Sequence, residues 1–177
     1  MSTTKPAAAP AEAIEEVTGL DGAADTIRAA SSALPSAVRD VLTGAALGSP
    51  LHPALVHLPI GAAICAVTVA ALTDEGQSRS VRLLAGLTVA AALPAALTGL
   101  ADFGSLGNRR LRRTGAAHAV ANTTGTLLAL AAWVGAGSTG RPSRTLLAGA
   151  TVAYLAGGYL GGDLVHDEGH AAPGSDD

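Results

Sequence analysis

The sequence predicts an all-α protein: a four-helix transmembrane bundle, up-and-down, behind a partly disordered N-terminal leader. Three observations carry that expectation. Of 177 residues, 49% are hydrophobic and only 14% charged, against roughly 25% charged in ordinary soluble domains. Four apolar stretches cover 54–73, 83–103, 116–136 and 146–165, and none contains Lys, Arg or Glu. A helix needs about 20 such residues to cross a hydrocarbon core of about 30 Å. Finally, Ala, Leu, Val and Gly surround each helix instead of keeping to one stripe, as lipid-facing helices do.

Residues 1–48 are an Ala/Pro-rich leader made acidic by Glu12, Glu15, Glu16, Asp21 and Asp25. It lacks the basic start and apolar run of a signal peptide, so the first span is expected to serve as its own insertion signal. Within it Ile27, Leu34, Val38, Val41 and Leu42 recur near helical spacing, with a bend at Pro35. That pattern fits an interfacial helix or a loosely ordered segment. Residues 49–170 form the four-span domain. Its connections at 74–79, 104–114 and 137–142 are built from turn residues, the middle one carrying Arg109, Arg110, Arg112 and Arg113. Short connections favour antiparallel neighbours, and 171–177 read as a disordered tail. Four crossings place both termini and the Arg-rich connection on one side. The arginine distribution leans towards cytoplasmic termini in a multi-pass protein of the cell membrane.

Composition also excludes. Phe103, Trp133, Tyr154 and Tyr159 are the only aromatics and the net charge is −3, so neither base stacking nor a basic nucleic-acid footprint is available. The single cysteine, Cys65, supports no internal disulfide or zinc ribbon and reads as a small core residue. No Ser or Cys lies in a recognisable activating motif, which argues against an enzyme with its own nucleophile.

Alternating helix directions bring certain positions to one depth. On the terminus side these are His52, His57, Thr98, Asp102, His118, Asn122, Asp163 and His166, with His170 just beyond. Polar groups at membrane depth are costly and tend to face the bundle interior in a functional role. His118 and Asn122, four apart, share a helix face, as do Thr98 and Asp102. His52 and His57 are five apart and diverge by roughly 140°. One of them points at the bundle axis, and His57 is the expected one. Pro53 suits a first helical position and Pro59 the first turns. A shift of 61 residues places His57 on His118 and Asp102 on Asp163. This is the pattern of parallel repeats about an axis along the membrane normal. Gly157, Gly158, Gly161 and Gly162 form overlapping small-residue ridges for packing within the monomer or for a homodimer.

The segment His52-Pro53-Ala54-Leu55-Val56-His57-Leu58-Pro59-Ile60 resembles the His-Pro-x-x-Val-His-Phe-Pro signature of the DUF2231 membrane proteins. The resemblance continues through Thr98-Gly99-Leu100-Ala101-Asp102, His118-Ala119-Val120-Ala121-Asn122 and Gly161-Gly162-Asp163-Leu164-Val165, covering about 49–170. Leu58 stands where Phe is usual and His166 where Tyr is frequent, which makes His166 a poor candidate for a shared role. The family is bacterial and its name records an unknown function. Some members are joined to a Rieske domain, which implies electron transfer. This chain has one Cys where a Rieske centre needs two, so such a partner is expected to be a separate polypeptide.

Three function classes follow. The most specific is a redox-associated module: His57 and His118 bind haem b, with Asp102, Asp163, Asn122 and His52 around them. In a variant of this reading, His57, His118, Asp102 and Asp163 hold a transition metal. The second is proton or ion transport through the His/Asp ring. The third is a non-catalytic membrane anchor or assembly module whose ring only makes interhelical hydrogen bonds.

Overall fold

A computed structural model describes residues 10–73, 78–137 and 141–170, with side chains from 12 to 165. The expected tail at 171–177, parts of two connections and the side chains of His166 and His170 lie outside the described residues. Helix accounts for 86% of the described residues, and no strand occurs among them. In order, the helices are α1 (Pro10–Glu15), α2 (Asp21–Ser32), α3 (Ser36–Thr43), α4 (Leu51–Leu55), α5 (His57–Leu72), α6 (Ser78–Phe103), α7 (Arg109–Gly135) and α8 (Arg144–His170). Single 3-10 turns occupy Thr18–Leu20 and Ala45–Leu47.

The four long helices pack in a ring: each touches its sequence neighbour, and α8 closes against α5. Their burial pattern is inverted relative to a soluble bundle. The interior is alanine, including Ala62, Ala66, Ala70, Ala85, Ala116, Ala129, Ala132 and Ala150, each at most 6% exposed. Large apolar side chains stand outside: Ile64 and Leu72 on α5, Leu87 and Leu93 on α6, Leu127 and Val134 on α7, Val152 and Leu155 on α8. Small interior residues let helix backbones approach closely, which is how helices associate when the surrounding solvent is itself apolar. Cys65 is exposed on α5, correcting its assignment to the core: the alanines on either side of it face inward.

Among the described residues, two stretches are long and apolar enough to cross a membrane: Leu51–Leu72, with mean hydropathy 2.1, and Ser78–Phe103, with 1.9. Helices α7 and α8 are as long, at 27 residues each. Their apolar character is diluted by His118, Asn122 and four threonines in α7, and by five glycines in the middle of α8. Hydropathy therefore marks two helices where the sequence reading expected four.

Pro59 breaks the first long helix. It has no N–H for Leu55 O, and its ring crowds that carbonyl. The helix accordingly interrupts at Val56, between α4 and α5. At the end of α5, Arg141 Nη2 donates to the carbonyls of Ala70 and Thr73, and Arg144 Nη2 to Thr73. Arg82 Nη1 likewise reaches Gly137 O beyond α7. Cations at helix C-termini satisfy orphan carbonyls and complement the helix dipole. These arginines are structural caps.

Within the described residues the leader is helical from α1 onwards and packs against the bundle. Helix α2 buries Ala24 against Phe103 and Ala116, with Ile27 and Leu106 alongside. Ser31, fully buried, sits against Gly104, where a Cβ would come within 2.7 Å of its hydroxyl. Arg109, Arg110, Arg112 and Arg113 lie on the first turns of α7, not in a loop, because Asn108 caps that helix by accepting from Leu111 N at 2.9 Å. Arg113 then clasps the leader: Nε and Nη2 hold the Asp21 carboxylate at 2.7 and 3.1 Å, and Nη1 donates to Glu15 O at 2.8 Å. Arg109 adds an ion pair to Asp21, and Arg110 pairs with Glu15 and Glu16.

Candidate functional site

The polar cluster forms at the leader end of the bundle, with His52 in the place expected for His57. His52 is half-buried on α4. Its Nδ1 lies 2.8 Å from Ala95 O and 3.3 Å from Thr98 Oγ1, both on α6. Across the bundle, His118 Nδ1 lies 2.7 Å from Gly157 O on α8. A carbonyl oxygen only accepts, so both rings carry a proton on Nδ1. Asn122 Nδ2 fills the other nitrogen of His118, at 3.1 Å from Nε2, and also donates to His118 O at 3.1 Å. The two imidazoles meet edge to face, with ring centroids 5.8 Å apart and planes at 75°.

Each ring rests on a glycine. A Cβ at Gly99 would lie 2.7 Å from His52 Cε1, and one at Gly161 would lie 2.9 Å from His118 Cε1. Gly157 leaves the same kind of space for the Asn122 amide, at 2.6 Å from Oδ1. In both hairpins, therefore, a histidine on the outgoing stroke bonds a carbonyl on the return helix and lies over the glycine four residues further on. Ala95 and Gly99 correspond to Gly157 and Gly161 at an offset of 62 residues. His52 and His118, however, are 66 residues apart, so the two hairpins share this contact without sharing one constant sequence shift. Further along, Thr126 Oγ1 meets Tyr154 Oη at 2.9 Å, and Thr151 Oγ1 donates to Ala63 O at 3.3 Å.

The other candidates fall elsewhere. His57 is exposed, its Nδ1 3.3 Å from Ala54 O on its own helix segment. The break at Val56 separates it from the face that α4 turns to α6. Asp102 is half-buried at the end of α6, beside the leader, and Asp163 is half-exposed on α8. Neither carboxylate hydrogen-bonds to an imidazole, so the expected His/Asp pairs do not form. Among the described residues, no group of three or more His, Cys, Asp or Glu side chains is placed to hold a metal ion. The residues do not fit haem either: His57 faces away, and both nitrogens of His118 are engaged. Of the four ridge glycines, Gly157 and Gly161 are spent against α7, while Gly158 and Gly162 are exposed.

Residues 48–172 match the family described as predicted membrane protein DUF2231. The chain belongs to the DUF2231 family. No curated protein and no solved structure matches it. The DUF2231 region thus holds all four long helices and the histidine pair, while α1–α3 precede it. Sequence reasoning missed the leader's clasp and the glycine seats. A signal for the seats was present, since Gly99 and Gly161 both lie inside the motifs that carried the family resemblance.

Proposed function

We propose that this DUF2231 protein is a multi-pass module in which all four long helices cross the bilayer. Its histidine cluster fastens each hairpin by a hydrogen bond, brings the two hairpins together through the contact between the rings at one membrane face, and performs no chemistry of its own. One observation carries the reading: both imidazoles donate through Nδ1 to main-chain carbonyls of the opposing helix and end in contact with each other. The Nδ1 of each ring is thereby committed to holding helices, and in His118 the second nitrogen is engaged as well. Interhelical hydrogen bonds in membranes contribute about 0.6–2 kcal/mol each. The exposed Leu and Val rows of α7 and α8 support the four-span arrangement despite their diluted hydropathy.

The test is made on protein purified in detergent from haem-supplemented cells. The expected result is no stoichiometric haem or transition metal. His52→Ala and His118→Ala are each expected to lower stability by about 1–3 kcal/mol. A Soret band or bound metal at one per chain, abolished by His118→Ala, would falsify this reading in favour of the redox one.

A further inference from the structure

A second polar site lies between the leader and the bundle. Helices α2 and α3 and the end of α6 flank an open cavity of about 660 Å³, lined by Arg39, Asp102, Ser32 and Gly104 among others. Volumes of this order accommodate small ligands. Two opposite charges line it without forming an ion pair. Arg39 Nη2 donates to Ser31 O and Leu34 O at 3.1 and 3.2 Å, which anchors the guanidinium at the end of α2. Its Nε is buried with no hydrogen-bond partner. The Asp102 side chain points at neither histidine.

Charges held apart across one cavity complement a ligand that is itself dipolar. A simple anion at Arg39 is opposed by Asp102, and a simple cation at Asp102 by Arg39. A zwitterion satisfies both. The surroundings identify its setting: Val38 and Val41 on α3 and Leu47 just after it are exposed, directly ahead of the first apolar stretch at Leu51. An amphipathic helix with its apolar face free, at the end of membrane-crossing helices, lies in the headgroup layer.

We infer that this cavity binds a phosphoethanolamine group, the phosphate on Arg39 and the ammonium on Asp102, with a phospholipid headgroup as its source. The ammonium has N–H donors for the carboxylate, whereas a choline headgroup has none. The inference rests on the membrane reading above. Its test needs no bilayer, so failure here leaves the topology unaffected.

The full chain in detergent is titrated with dihexanoyl phosphatidylethanolamine, dihexanoyl phosphatidylcholine and free phosphoethanolamine, and its Tm is recorded. At tenfold over Kd the ethanolamine lipid is expected to raise Tm by about 3–6 °C, and the choline lipid by less. Asp102→Asn, near-isosteric and tolerated in a helix, erases that difference. Arg39→Gln abolishes both shifts. A response to free phosphoethanolamine as well shows that the headgroup suffices; a response to the lipid alone shows that the acyl chains contribute. Equal shifts with the two lipids, no shift with any of the three, or an undiminished preference for ethanolamine in Asp102→Asn overturns the proposal.

Discussion

Gly161 and Gly162 are adjacent on α8 and make opposite demands. A methyl group at Gly161 meets His118 Cε1 at 2.9 Å, and that ring is pinned on both nitrogens, while at Gly162 it meets nothing within 4 Å. Overpacking costs typically about 1–3 kcal/mol, and replacing Gly by Ala in a helix returns at most about 1 kcal/mol. Packing wins at the first position and propensity at the second. Gly161→Ala is therefore expected to destabilise by up to about 2 kcal/mol, and Gly162→Ala to be neutral or slightly stabilising. Denaturant titrations of both variants in detergent check this. Equal behaviour of the two would mean that His118 does not rest on α8. The choice between His52 and His57 is decided at the same scale. Their spacing shows that only one imidazole faces inward, but which one depends on the break that Pro59 imposes at Val56 and on the docking of α4 against Ala95 and Thr98. The break is local, but the docking is made 43 and 46 positions away.

At the scale of elements, the helices of the bundle were readable because length and apolar composition are properties of a single segment. The docking of α1–α3 was not, because its determinants lie far apart: Asp21 and Arg113 are separated by 92 positions. Arg113 carries this clasp. Its side chain is 11% exposed, whereas those of Arg109 and Arg110 are 64% and 66% exposed, and pairs that open to water contribute little. The guanidinium of Arg113, with Arg109 behind it, holds the Asp21 carboxyl below its ordinary value of 3.8. A carboxylate whose native value is depressed adds stability that is complete above the unfolded value and lost as pH falls through the native one. Leader docking should be constant from neutral pH down to about pH 5 and weaken below 3.8. Hydrogen exchange along α2 reports it. Asp21→Asn is expected to raise exchange in α2 at neutral pH and to remove the acid dependence, while α5 and α6 keep their protection. Unchanged exchange in α2 would assign docking to Ala24, Ile27 and Phe103 instead.

For the whole molecule, the decisive issue is whether α7 and α8 cross the membrane with α5 and α6. Hydropathy separates the pairs, but packing unites them. The ring of contacts α5–α6–α7–α8–α5 closes, and all four helices expose large apolar side chains, α5, α6 and α7 turning mainly alanine inward while α8 also buries Leu147, Tyr154 and Leu160. A helix pair lying outside the bilayer would leave Leu127, Val134, Val152 and Leu155 facing water. Burying such a side chain contributes roughly 1.5–3 kcal/mol each, so immersion is strongly favoured over exposure. His118 and Tyr154 oppose it little, because they bond across the α7–α8 contact, to Gly157 O and Thr126 Oγ1, and Asn122 donates to His118 on its own helix. The prediction concerns sidedness. With exposed Cys65 replaced by Ser, single reporters Ser36→Cys, Arg79→Cys and Ser143→Cys are labelled with a membrane-impermeant maleimide in intact cells and in inverted vesicles. Four crossings put Arg79→Cys and Ser143→Cys on one side and Ser36→Cys on the other. Two crossings move Ser143→Cys to the side of Ser36→Cys, leaving α7 and α8 as a hairpin that never reaches the far face. The histidine fastening would then join a membrane hairpin to a surface one.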